Sequence, residues 1–222
     1  MWRDAALVAG KDLRIEWRSR VGLNQVVPFA VVILVLFGLA LGPSRRVLAP
    51  ATAGLFWVAV LLSAVLAVQR SFAVEAADGA GDGLRLSGLD AGGIFVGKAA
   101  AVTAQLLVLE VVLGVVAALL YAAHLSGFAM LAASCVLATA GLAAVGTLYG
   151  ALSAGSRVRE TLLPLLFFPL VAPVLIAATK AWQAGLQGRP GSGLGWLSVL
   201  AVFAAAYLAI GTVAFGPLLE DG

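Results

Sequence analysis

Few side chains in this sequence are equipped for chemistry, and they stand far apart. Glu110 is the one acidic residue inside a long apolar run. A carboxylate at the centre of a membrane helix costs a few kcal/mol, so it must face protein or water. It reads either as a proton-carrying group or as a structural acceptor for a neighbouring span. His124 is the single histidine and Cys135 the single cysteine. His124 lies in a short turn, His124-Leu125-Ser126, where it is an interface residue or a lone haem or metal ligand. One histidine excludes a bis-histidine haem held by this chain unaided. Cys135 has no intrachain disulfide partner and reads as core filler.

Two further patterns invite a catalytic reading. Gly92-Gly93-Ile94-Phe95-Val96-Gly97-Lys98-Ala99 approaches a phosphate-binding loop, but Ala99 stands where a magnesium-binding hydroxyl is required. The segment also enters an apolar span, so Lys98 is expected to snorkel as an anchor at the membrane edge. Glu75, Asp78, Asp82 and Asp90 resemble a magnesium site for phosphotransfer to a lipid. They lack the arginine and the fourth aspartate expected of such enzymes, and read instead as a solvated or partner-facing loop. No serine or cysteine pairs with a histidine for nucleophilic catalysis. The chain is expected to be non-catalytic and to hold no metal or cofactor alone.

The elements that carry these residues follow from composition. Of 222 residues, 62% are apolar and 11% charged, and the mean hydropathy is +1.06. Soluble domains run near 45–50% apolar and about 25% charged, so the solvent for most of this chain is lipid. A bilayer core of about 30 Å takes roughly 20 apolar helical residues. Six runs meet that length: 21–41, 51–68, 99–123, 127–154, 161–178 and 194–215. They are too long and uniformly apolar for barrel strands. The fold class is an all-α integral membrane protein, a single permease-like domain over 1–222. The first run follows a charged stretch and lacks a cleavage site, so it is expected to be an uncleaved span.

Ten lysines and arginines fall in the N-terminal segment and the stretches between spans two and three and spans four and five. Four fall on the other side: Arg45, Arg46, Lys180 and Arg189. That bias places both termini in the cytoplasm, although Arg45-Arg46 pulls slightly the other way. Before the first span, Trp2, Ala6, Ala9, Leu13 and Trp17 share one helical face, while Arg14 and other basic residues lie mostly elsewhere. Residues 1–20 are therefore expected to form an interfacial helix, with Trp2, Leu13, Arg14 and Trp17 at the headgroup level. The polar stretch 69–98 is cytoplasmic in this topology. Its Glu75, Asp78 and Asp82 share a face, but its glycines predict one or two short helices rather than a long one.

Two small-xxx-small pairs, Gly38–Gly42 and Gly146–Gly150, permit close helix packing. Pro164, Pro169 and Pro173 predict a kinked fifth span whose freed carbonyls are satisfied inside the bundle.

An interfacial helix, six spans and a long cytoplasmic stretch between spans two and three resemble the permease of an ATP-driven exporter of the ABC-2 type. Lys11-Asp12-Leu13-Arg14-Ile15-Glu16-Trp17-Arg18-Ser19-Arg20 is similar to the opening of the haem exporter protein B family of the cytochrome c maturation system. Arg70-Ser71-Phe72, followed by Glu75, Asp78, Gly79, Leu84, Leu86 and Ser87, resembles that family's first cytoplasmic loop, and Lys98 its exit. The run Leu162–Ile176 is similar to its proline-rich fifth span. Gly88 and Arg85 depart from the family's pattern, in which a proline and an apolar residue are expected.

The resemblance implies a permease subunit in a bacterial inner membrane with no nucleotide site of its own. ATP and magnesium would bind a separate cytoplasmic ATPase. Glu75, Asp78, Gly79, Leu84, Leu86 and Ser87 would form the coupling helix that docks on it. A haem-handling membrane subunit and a small single-span subunit would complete the complex. Its cargo would be haem, delivered to an extracytoplasmic haem chaperone, or the loaded chaperone would be released. Three other readings are a permease of the same fold for a drug or lipid, a proton-coupled carrier using Glu110, and the lipid phosphotransferase.

Overall fold

The computed structural model describes residues 1–19, 21–42, 44–77, 88–123, 125–153 and 157–220. Among them run seven helices: α1 (Trp2–Ser19), α2 (Val21–Leu41), α3 (Arg45–Ala77), α4 (Ala91–Tyr121), α5 (Phe128–Ser153), α6 (Arg157–Leu186) and α7 (Pro190–Glu220). Helices α2 to α7 are each long and apolar enough to cross a bilayer. The protein is an all-α, multi-pass membrane protein.

Helix is the fold that lipid permits, because every backbone polar group must be satisfied within its own segment. Buried hydroxyls follow the same rule: Thr52 donates to Leu48 O at 2.9 Å and Ser63 to Ala59 O at 2.7 Å. Side-chain contacts fix the antiparallel order. Lys98 near the start of α4 meets Phe72 near the end of α3, and Phe95 meets Phe215 near the end of α7. These define one end of the bundle, here the near end, which also holds α1. Gly127 N donates to Gly185 O at 3.1 Å, joining the start of α5 to the end of α6 at the far end. Tyr121 Oη donates to Leu34 O at 2.6 Å and ties the end of α4 to α2.

Helix α5 sits centrally and touches α3, α4, α6 and α7. Gly146 and Gly150 make that possible, because Val68 and Phe72 of α3 occupy the space where their Cβ atoms would stand. Gly38 and Gly42 act differently from each other. Gly38 lies against the Tyr121 ring, whereas Gly42 adopts φ +76° just past α2, a left-handed conformation that favours glycine. Helices α2 and α7 lie at the rim and turn Phe29, Leu36, Leu39, Val202 and Val213 outward to lipid.

The helices outrun the apolar stretches. Helix α3 continues to Ala77 and α4 begins at Ala91, so the segment between them is 78–90 rather than 69–98. Polar residues in the extensions find partners: Arg70 reaches Gln25 and Glu16. Asp90 caps α4 by accepting from Gly93 N at 2.7 Å. Helix α6 runs through Pro164, Pro169 and Pro173 as one element. In the turn between the last two, Tyr207 Oη donates to Leu170 O at 2.7 Å.

Candidate functional site

The charged residues of the near end meet around α1. Helix α1 crosses α4 at Gly93 and Gly97. A Cβ on Gly93 would stand 2.8 Å from Met1 O, and one on Gly97 2.6 Å from Ala5 O. Only glycine lets the two backbones approach this closely. The run that mimics a phosphate loop is thus the first two turns of a helix, and its glycines form the groove that receives α1.

That crossing covers Lys98. Its side chain is 3% exposed and its Nζ stands 3.8 Å from Asp12 Oδ2. The ammonium also lies 4.9 Å from the centre of the Phe72 ring, within cation–π range. The expected snorkelling anchor is therefore a buried cation under α1. Snorkelling requires an open path to water, and α1 closes that path.

A second tie lies beside it. Arg70 Nη1 donates to Gln25 Oε1 at 3.0 Å, and Arg70 Nε is 3.9 Å from Glu16 Oε2. Asp12 and Glu16 are one turn apart, so one face of α1 engages both α3 and α4. A third tie joins the helix starts, where Asp90 N donates to Asp4 Oδ2 at 3.4 Å. The N-terminal ammonium at 3.3 Å, and then this Asp90 N–H, hold the Asp4 carboxyl below the usual carboxylate range. The opposite face of α1 stays open: Trp2 is 74% and Trp17 73% exposed, with Leu13 and Arg14 exposed as well. An exposed aromatic and basic face of this kind is the surface that an interfacial helix requires.

This arrangement ties α1 to both helices that flank the segment 78–87. Helix α3 enters the segment 78–87 and α4 leaves it. Phe72 wedges against Gly150 of α5, and Arg70, Phe72, Asp90 and Lys98 tie both helices to α1 and to each other. The six residues expected to dock on a partner fall here. Glu75 lies in the last turns of α3, its side chain outside the described set. Asp78, Gly79, Leu84, Leu86 and Ser87 lie outside the described residues, as does His124.

Glu110 is 4% exposed in the middle of α4, and it faces protein. Thr139 donates its hydroxyl to Glu110 Oε1. The Cys135 thiol lies beside the carboxyl, and Trp182 Nε1 donates to Cys135 Sγ at 3.3 Å. Phe56 stacks on Trp182 with ring centres 3.8 Å apart. One carboxyl thereby links α4, α5 and α6 near mid-membrane. Among the described residues, no group of three His, Cys, Asp or Glu side chains could hold a metal ion.

Sequence reading missed Asp12, Glu16 and Arg70 as a set, along with Thr139, Cys135 and Trp182. A signal existed for parts of each. Asp12 and Glu16 share a helical face, as do Cys135 and Thr139. Their partners lie tens of residues away, and only the packing reveals them.

Known proteins place the chain further. The family described as CcmB protein matches residues 4–221. Heme exporter protein B of Pseudomonas aeruginosa is 32% identical over 200 residues, covering 90% of this chain and 90% of the relative. The protein of the same name from Paracoccus denitrificans is 33% identical over 210 residues, covering 88% and 94%. That of Haemophilus influenzae is 31% identical over 193 residues, covering 86% and 87%.

Proposed function

Since the chain belongs to the CcmB protein family, we propose that it is the membrane subunit of a haem exporter whose energy comes from a separate ATPase. The observation that carries this reading is the match over nearly the whole chain to relatives named Heme exporter protein B. In this reading the chain is a non-catalytic transporter subunit of a bacterial inner membrane, with both termini cytoplasmic. The near end of the bundle then faces the cytoplasm.

The geometry of the near end supports the ATPase coupling. The segment 78–87 sits where α3 hands over to α4, and the ties to α1 carry its movement into the bundle. Glu75, Asp78, Gly79, Leu84, Leu86 and Ser87 form the docking surface in this account. ATP and magnesium stay on the ATPase. Haem is the cargo of the complex, which includes a haem-handling membrane subunit and a small single-span subunit. Turnover delivers haem to an extracytoplasmic chaperone or releases the loaded chaperone.

Deletion and complementation test the cargo. Cells lacking the protein are expected to lose covalently haem-loaded c-type cytochromes on haem-stained gels, with recovery on re-expression. Normal cytochrome levels in the deletion would instead favour a permease of the same fold for another substrate.

A further inference from the structure

The far end of the bundle has an unusual charge pattern. None of the eleven Asp and Glu residues falls in the segments at that end, whereas Arg45, Arg46, Lys180 and Arg189 do. Uncompensated cations at a membrane surface attract anions. One of them stands over a groove. Between α3 and α6 lies an open groove of about 280 Å³ lined by Gly54, Trp57, Val58, Leu175, Ile176, Thr179 and Lys180. Val58 and Ile176 at its edges are exposed, so the groove opens sideways toward lipid.

Lys180 is six residues short of the end of α6, roughly 9 Å along the helix axis. Its flexible stem can carry the ammonium up to the headgroup level. Below it, the buried Trp57 forms part of the groove wall.

We infer that this groove holds a phospholipid with an anionic headgroup, drawn from the leaflet at the far end. The phosphate sits at Lys180 and Thr179. An acyl chain lies along Val58, Leu175 and Ile176. The apolar walls accept the chain, and the lone cation selects the charge. Which leaflet this is rests on the orientation proposed above; the site itself does not.

Lipid retention measured by native mass spectrometry tests the inference. The purified full-length protein is titrated in detergent with phosphatidylglycerol or phosphatidylcholine of identical acyl chains. Wild type is expected to prefer phosphatidylglycerol. Lys180→Gln is expected to lower that retention about fivefold, the worth of one basic residue at an anionic surface, while Lys180→Arg keeps it. Arg189→Gln, a cation of the same end outside the groove, is expected to leave it unchanged.

Gly54→Leu fills the groove. A Cβ at Gly54 meets nothing within 4 Å, so the substitution starts without a backbone clash, and the variant is expected to keep the wild-type melting temperature and lose both lipids. Equal retention of the two lipids by wild type, or wild-type retention by both Lys180→Gln and Gly54→Leu, would overturn the inference. A parallel incubation with ferric haem covers the other amphiphile. Haem retention that depends on Lys180 and Gly54, without any lipid preference, would overturn the lipid assignment. The lipid titration contains no ATPase and no haem, so its failure leaves the export reading standing.

Discussion

Lys98 Nζ stands 3.8 Å from Asp12 Oδ2, under a helix that closes it off from water. The pair joins α1, which lies outside the six spans, to α4, the span that follows the segment 78–87. Asp12 also lies 3.1 Å from Lys11 Nζ, so its carboxylate serves both the exposed and the buried ammonium. Asp12→Ala is expected to destabilise the protein by about 1.5–3 kcal/mol, the worth of one interaction with a charged group. The double variant Asp12→Ala/Lys98→Met is expected to recover at least about 1 kcal/mol of that loss. Thermal unfolding in detergent, run as a double-mutant cycle, measures the coupling. Additive single effects would mean that the two side chains do not interact.

The glycine crossing makes a sharper prediction. Gly97→Ala puts a methyl group 2.6 Å from Ala5 O, where backbone must shift. A loss of about 1–3 kcal/mol is expected from such overpacking. Gly114→Ala in the same helix meets nothing within 4 Å, and is expected to be neutral or to gain up to about 1 kcal/mol from helix propensity. Trypsin cleavage at Lys11 and Arg14 reads the docking of α1 directly. It is expected to speed up in Gly97→Ala and stay unchanged in Gly114→Ala.

Glycine spacing also shows what was legible in the sequence. Gly146–Gly150 reads as a packing pair from spacing alone, and Val68 and Phe72 are its partners. Gly93–Gly97 has the same spacing, but beside Lys98 it reads as a failed phosphate loop entering a span rather than as a packing pair. The spans were legible because apolar run length is a one-dimensional signal. Their extensions were not, because Arg70 and Asp90 continue or cap helices through partners on α1 and within α4. Lys98 and Asp12 are 86 residues apart, and nothing local predicts that α1 folds back over the start of α4. Glu110 stood out by its isolation, whereas its donor Thr139 is one threonine among several.

Glu110 separates two mechanisms. Glutamine still offers Thr139 an acceptor oxygen, so Glu110→Gln is expected to cost under about 1 kcal/mol of stability and to preserve cytochrome maturation in cells. A proton-coupled carrier needs the titrating carboxyl and would lose its activity. Maturation assayed in a strain carrying only Glu110→Gln decides between them.

The joint between Asp4 and Asp90 responds to acid. The Asp4 carboxyl is depressed below its usual value by its hydrogen bonds to the N-terminal ammonium and to Asp90 N. A depressed folded-state value stabilises the joint fully above the ordinary aspartate pKa of about 3.9. The contribution fades as pH falls through the lower folded value. Hydrogen exchange at the Asp90 amide, corrected for intrinsic rates, is expected to show constant protection from pH 7 to about pH 4 and a fall below it. Asp4→Asn is expected to remove that dependence.

The central claim is that ATP-derived force enters this chain through the segment between α3 and α4. Affinity purification of the tagged protein from native membranes, followed by mass spectrometry and an ATPase assay, tests it most directly. The account predicts that an ATP-binding-cassette ATPase co-purifies with wild type. Changing Glu75, Asp78 and Leu86 together to alanine should release it, with the variant still inserted at wild-type levels. Retention of the ATPase with full activity in that triple variant, or its absence from the wild-type complex, would contradict the account.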